Sequence, residues 1–515
     1  MRTISIAYTT LFLLALFSCS NLDDVNTRLD QLENEINKEQ KPRLLSFGFM
    51  AKDNKLQLIE NVKSTIEGDS LVDCWIPHLV ENKKLIPHFT FEGDNVYAGD
   101  VELLSDDTEY DFSKPVTLIV NWGGQNSVYK VLVHTYTGLP VCWIETDNRA
   151  PIESKEDYVN ANFRLVEDVV TRVAGDIVEG KMQIRGRGNS TWWYPKKPYR
   201  LKFDEKMSLC NEPNDKSWIL LANYIDKSML CNHMAFYLGG ISELEWTPHS
   251  HFVELMLNGV YQGTYQLTEK IKIAKHRVNV GDDGFIMEID GYATGESDAR
   301  FFPVAHLQQV VNIKDPEVEY DDDNFNYAKE FVQKADSVLY SDGFKDPVNG
   351  WQKYMDIDSF VDYYLINEII KNCDNMWWNA YMNLKRGGKL KMGPLWDYDN
   401  AFGTYVREDC ALPEGFWIKD KPWYNRLFED PVFLDAVKKR YEYFYEKKDL
   451  LFAEMNTMSE YLKYSVIENN NKWNILYNSI ERESKIWGCY FNEVTSVKQW
   501  LNKRMEWLHV AFNSL

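Results

Sequence analysis

Short runs of alternating apolar and polar side chains fill residues 43–138. Residues 44–49, 55–58, 116–121 and 129–135 are such runs, separated by the turn-forming stretches Asp53-Asn54, Glu92-Gly93-Asp94 and Gly123-Gly124. A period of two sends successive side chains to opposite faces of a strand, and strands at this spacing predict a small all-β immunoglobulin-like sandwich. From residue 139 to 515 the pattern is mixed and predicts an α+β domain. Residues 140–144, 164–173 and 181–184 read as strands; in 199–203 Tyr199, Leu201 and Phe203 share one face and Arg200 and Lys202 the other. Met229, His233, Phe236 and Tyr237 recur at helical spacing, which predicts a helix over 226–238 stopped by Gly239-Gly240. Asn258-Gly259 between apolar runs predicts a hairpin. Residues 285–290 read as a strand, 358–372 as a long helix, and 421–515 as a helical C-terminal lobe.

Composition changes this picture in three ways. A chain of 515 residues exceeds what one core supports. Its formal net charge of −21 opposes a nucleic-acid partner, which needs a basic field. Arg2, the apolar residues 4–17 and Leu16-Phe17-Ser18-Cys19 predict a signal segment over 1–19. Its end resembles a bacterial lipobox, implying an acylated Cys19 that anchors the chain to a membrane. Ser20-Asn21-Leu22-Asp23-Asp24 resembles the export signal of Bacteroidetes-type surface lipoproteins, implying a cell-envelope location at the outer membrane or cell surface. Residues 20–42 carry Val25, Leu29, Leu32 and Ile36 at coiled-coil spacing and read as a short helical stalk or an extended tether. The remaining cysteines, none in a C-x-x-C pair, read as buried free thiols, and no zinc motif stands out.

Candidate chemistry gathers in two places. Residues 372–403 hold Asp374, Asn379 five positions on, a Gly387-Gly388 turn, then Asp397 and Asp399. Kinase catalytic machinery has this order: an acid, an Asn five residues later, a hairpin and a magnesium-binding Asp. Upstream, Ile184-Arg185-Gly186-Arg187-Gly188-Asn189-Ser190-Thr191 is a glycine-spaced basic turn suited to an anion, with Lys196 and Lys197 close behind. A lysine strand, a helix and a hairpin follow in the order of a kinase N-lobe. Lys202 is then the candidate phosphate lysine, Lys197 its rival, and Asp226 or Glu269 the acid that orients it.

Together these motifs resemble the spore-coat protein H (CotH) kinase family. The matching pieces are Arg187-Gly188-Asn189-Ser190-Thr191, Lys197-x-Tyr199-Arg200-Leu201-Lys202-Phe203, Leu221-Ala222-Asn223-Tyr224-x-Asp226, Val253-Glu254-Leu255-x-Leu257-Asn258-Gly259, Leu267-Thr268-Glu269-Lys270 and Met392-Gly393-Pro394-Leu395-Trp396-Asp397-Tyr398-Asp399. The resemblance implies a two-lobed, atypical protein-kinase-like domain with Asp374 as the catalytic acid and Asp397 as the main ligand of Mg2+, or of Mn2+ in its place. Asn379 and Asp399 join Asp397 as metal ligands by their spacing. The family resemblance further implies transfer of the ATP γ-phosphate to hydroxyls of an extracytoplasmic protein. The H-R-D and D-F-G triplets are absent in letter, since Lys371-Asn372-Cys373 precedes Asp374 and Tyr398-Asp399 follows Asp397. Two other functions fit parts of the sequence: a non-catalytic surface module binding glycan or protein through Trp192-Trp193 and Trp377-Trp378, and a glycosidase using Asp374 and Asp397.

Overall fold

The computed structural model describes residues 41–58, 61–77, 82–167, 177–406, 408–480, 483 and 485–515. The expected signal segment, acylated Cys19 and stalk, and the 168–173 end of one predicted strand, lie outside them. The chain divides into two compact units, one ending at Thr137 and one spanning Gly138–Leu515.

The N-terminal unit is all β. Val62–Lys63, Arg43–Phe49 and Pro87–Glu92 form a three-stranded sheet. A six-stranded sheet runs Thr65–Glu67, Leu71–Pro77, Gln125–Tyr136, Val116–Trp122, Asn95–Ala98, Val101–Glu102. Leu71–Pro77 and Gln125–Tyr136 pair in parallel. Phe47, Phe49 and Phe89 of the first sheet share one core with Val72, Ile76, Leu118 and Val131 of the second. Residues 55–58, expected as a strand, are a turn. The buried Asn54 amide donates to Met50 O at 2.9 Å and Ile86 O at 3.0 Å, and its side-chain oxygen accepts from Ile86 N at 2.8 Å. Those bonds fix the chain reversal and leave Leu56 in solvent.

In the second unit the predicted N-lobe is a closed barrel. Its seven strands run in the order Val141–Thr146, Val159–Val166, Ile177–Gly186, Tyr199–Met207, Asp215–Leu221, Val260–Glu269, Ser250–Leu257. A parallel pairing of Ser250–Leu257 with Val141–Thr146 closes it and removes both sheet edges. Tyr199, Leu201 and Phe203 point inward, where they meet Ile184, Leu165, Trp218 and Leu267. The hairpin forms where expected, with Asn258 at φ 52° and Gly259 at φ 73°, the left-handed pair a two-residue turn requires.

The helix expected from residue 226 starts at Cys231 and ends at Gly240. Asp226 stops it from extending backwards. Its fully buried carboxylate accepts from Ser228 N at 3.0 Å and Cys231 N at 2.8 Å, folding 226–230 into a turn that caps the helix.

The C-terminal lobe centres on the Ile357–Ile370 helix, capped by Asp356 and ended by Lys371 at φ 49°. It is buried on every side from Ser359 to Ile370, the pattern of a core helix. Five antiparallel strands lie beside it, in the order Phe301–Val304, Gln309–Asp315, Phe285–Ile289, Ala380–Leu384, Leu390–Met392. Helices Asp323–Leu339, Pro431–Glu446, Lys448–Leu462 and Tyr490–Ser514 surround the core.

The Ser465–Trp473 helix joins this lobe to the barrel. Its Asn469 side-chain oxygen accepts from Lys196 Nζ at 2.8 Å and Thr264 N at 3.2 Å. Gly263, at φ 95°, makes the approach possible, since a Cβ there would lie 2.4 Å from that oxygen. Cys373 and Cys410 form a disulfide with a Cα–Cα distance of 5.6 Å. This corrects the free-thiol expectation for that pair: the two are 37 residues apart, and only folding brings them together. No helix among the described residues is long and apolar enough to cross a membrane.

Candidate functional site

Two strands of the barrel build one wall of a cleft. Arg185, near the end of Ile177–Gly186, stands directly opposite Arg200 of Tyr199–Met207. Like charges in that register repel. Both Nε atoms are buried without a hydrogen-bond partner. Beyond Arg185 the chain turns through Gly186 and Gly188 and delivers Arg187, whose guanidinium lies 5.4 Å from the centre of the Trp396 ring. The glycines serve the turn itself. A Cβ on Gly186 would meet the Trp192 ring at 2.3 Å, and Gly188 sits at φ 83°.

The opposite wall comes from the end of the central helix and the segment after Leu390–Met392. Asp374 follows the helix and its disulfide cysteine. Asn400 Nδ2 donates to Asp374 Oδ2 at 2.6 Å, and Asn379 Nδ2 donates to Asp397 Oδ2 at 2.9 Å. Asp397 is held at φ 66°, a conformation that aspartate tolerates better than most residues. Tyr398 N donates to Asn232 Oδ1 at 2.8 Å, tying the acidic segment to the Cys231–Gly240 helix.

Arg185, Arg187, Arg200, Lys270, Asp374, Asn379, Asp397 and Asp399 all line one cavity of about 720 Å³. It adjoins a second hollow of about 840 Å³ that shares Arg185, Arg200, Lys270 and Lys314. Asp397 and Asp399 crowd one wall and Arg185 and Arg200 the other, while Glu156, Asp290, Glu296 and Asp298 also line the cavity. Burial pushes the Asp399 carboxyl well above the ordinary range, and the Asp397 and Asp374 charges push the same way. Burial also raises Asp397, with Asp374 adding and Arg187 opposing. On the basic side, burial lowers Arg200, and Arg185 and Arg187 lower it further. Lys270 is lowered to about 8, first by burial and then by Arg200. Glu288, raised to about 7 mainly by burial, sits between the two walls; it accepts from Asn379 N at 3.2 Å and pairs with Lys314 at 3.1 Å.

These residues fit a divalent cation and a polyphosphate. Crowded carboxylates with raised pKa values favour a cation, and the buried Asn400 Oδ1, without a hydrogen-bond partner, offers a further oxygen beside them. Crowded guanidiniums with unpaired donors favour an anion. Asp397 and Asp399 line the same cavity.

Several expected site residues lie elsewhere. Lys202 is exposed on the outer face of the barrel, its Nζ 5.8 Å from the Tyr158 ring centre, and does not line the cavity. Lys197 donates to Trp192 O at 2.5 Å and lies over the Trp192 ring. Neither Asp226 nor Glu269 faces a phosphate lysine: Asp226 caps a helix, and Glu269 meets Arg277 at 3.4 Å and His249 at 3.0 Å. Arg200, Lys270, Glu288, Lys314 and Asn400, which line the cleft, are absent from the expected set. Arg200 was within reach, because alternation already places it on the same strand face as Lys202.

Trp378 stacks on Tyr292 at 5.1 Å within the cleft lining, whereas Trp193 is exposed on the surface.

The family described as CotH kinase protein matches residues 184–508, spanning both walls of the cleft. No curated protein matches the chain. Among solved structures, a DUF4623 family protein from Bacteroides eggerthii DSM 20697 aligns at 11% identity over 36% of this chain and 58% of that chain, with a TM-score of 0.14. That likeness is too slight to bear on the fold.

Proposed function

Because the chain belongs to the CotH kinase family, we propose that it is an extracytoplasmic kinase, anchored through an acylated Cys19, that transfers the ATP γ-phosphate to hydroxyl groups of a protein. The observation that carries this reading is the cavity in which an Arg185–Arg200 pair and Arg187 confront Asp397 and Asp399. A phosphate chain bearing a divalent cation is the ligand that relieves both repulsions at once.

Asp397 and Asp399 would hold the cation, with Asn379 orienting Asp397. When bound, Mg2+ neutralises charge on the phosphates. Arg185, Arg187 and Arg200 take the anionic role that the sequence suggested for Lys202. Guanidinium suits it, since it stays charged even where burial lowers its pKa and can make two parallel bonds to a phosphate. Asp374, oriented by Asn400, would accept the proton of the acceptor hydroxyl. The N-terminal all-β unit is proposed as an immunoglobulin-like spacer.

Asp397→Ala should abolish transfer of label from γ-labelled ATP in Mg2+. Equal labelling by variant and parent would overturn the assignment. A thermal-shift response to a glycan panel, with none to ATP and Mg2+, would favour a non-catalytic binding module.

A further inference from the structure

At one rim of the barrel, apart from the cleft carboxylates, three elements bring together a second group of metal-ligating side chains. Glu212 comes from the turn before Asp215–Leu221, His249 and His251 from the start of Ser250–Leu257, and Glu269 from the end of Val260–Glu269. His249 Nδ1 lies 3.0 Å from Glu269 Oε2 and 3.3 Å from Glu212 Oε2. The ligand atoms of Glu212, His249 and Glu269 all fall within 4.8 Å of one another. His251 Nε2 stands 2.8 Å from the other Glu212 oxygen.

Two carboxylates converge on one ring nitrogen, which carries at most one proton; a cation bound among the three groups would take the place of that shared proton. At bond lengths of about 2.0–2.2 Å, neighbouring ligand atoms in a tetrahedral or octahedral site are roughly 3.0–3.5 Å apart, and the two separations from Nδ1 fall in that range.

The ligands are also held from behind, as metal ligands usually are. Glu269 accepts from His249 N at 3.1 Å and meets Arg277 Nε at 3.4 Å. Thr268 Oγ1 donates to His249 O at 2.8 Å, and Ser208 Oγ donates to Glu212 O at 2.7 Å. Glu269 is buried whereas the His249 side chain is 58% exposed, so the group has a firm base and an open mouth.

We propose that Glu212, His249 and Glu269, with His251 steadying Glu212 through its other oxygen, form a site for a borderline divalent cation of the Zn2+ class. Mixed imidazole and carboxylate donors favour such an ion over Mg2+. It would staple the ends of three barrel elements beside the cleft. The connection is short: Glu269 precedes Lys270 of the cavity lining, and Arg277, which meets Glu269, also donates to Lys270 O at 2.7 Å. The proposal does not depend on the kinase reading.

The test is calorimetric titration of the EDTA-stripped chain with ZnCl2 and, separately, MgCl2, in an Asp397→Asn background that weakens the cleft as a competitor. One equivalent of Zn2+ should bind, with affinity falling at least about tenfold in His249→Ala and in the conservative Glu212→Gln. X-ray absorption should show a nitrogen and oxygen shell with imidazole scattering. Absence of saturable one-to-one Zn2+ binding, preference for Mg2+, or unchanged affinity in Glu212→Gln would overturn the proposal.

Discussion

Arg200 and Lys202 occupy the same face of one strand, yet only Arg200 lines the cleft. Alternation assigns a residue to a face; how far along that face the cleft lies depends on which strand covers it. Arg200→Ala should therefore weaken ATP–Mg2+ binding roughly tenfold or more, as expected for a charge-assisted contact, while Lys202→Ala leaves it unchanged. Titration of both variants checks this, and the opposite order would restore Lys202 to the site. Asn400 makes a second residue-scale case. It holds Asp374 through a 2.6 Å bond, and loss of a hydrogen bond to a charged group is worth about 1.5–3 kcal/mol. Asn400→Ala should lower kcat about tenfold to a hundredfold with little change in nucleotide affinity, which steady-state kinetics separates. Asn400 directly follows Asp399, but its use depends on a bend at Asp397 that spacing does not reveal.

Helices, strands and the hairpin were largely legible, most of them from a periodic apolar face and the central helix from its long apolar run. The central helix was expected over 358–372 and is observed at Ile357–Ile370. Where elements were misplaced, a side chain bonded locally to the backbone in place of regular structure: Asp226 at the helix start and Asn54 in the first unit. The Cys373–Cys410 disulfide was not legible, since no spacing encodes a contact made by folding. It joins the segment that carries Asp374 to the 409–419 loop, which Lys371 and Glu368 also hold. Lys371 donates to the carbonyls of Asp409, Leu412 and Glu414, and Glu368 accepts from the backbone at 417–419. Replacing both cysteines with serine should lower stability by about 3–4 kcal/mol, from the closed-loop entropy. Chemical denaturation of the oxidised parent against the double variant measures it, and a difference near zero would mean that Lys371 and Glu368 hold the loop unaided.

At the scale of the whole kinase-like unit, the junction between barrel and helical lobe rests on Lys196, which is fully buried and bonded to Thr264 O and Asn469. Burial lowers its pKa from 10.5 to about 7. Above about pH 7 the folded lysine is neutral while the unfolded one stays protonated up to about 10.5, so the unfolded state binds more protons and this residue's contribution to stability rises with pH. Urea unfolding should show the parent gaining up to about 2 kcal/mol on Lys196→Met between pH 7 and 9. A difference independent of pH would mean that the ammonium remains charged in the fold.

By itself the sequence determined the α+β class, the order of elements and the membership of Asp374, Asp397 and Asp399 in one chemical stretch. Periodicity and local spacing act over a few residues and survive without a fold. Tertiary structure alone decided that the strands close into a barrel, that arginines rather than Lys202 face the acids, that Glu269 turns away to meet His249, and that two distant cysteines join. Each of these is a contact between segments far apart in the chain, set by packing and by the need to pair or neutralise buried charge.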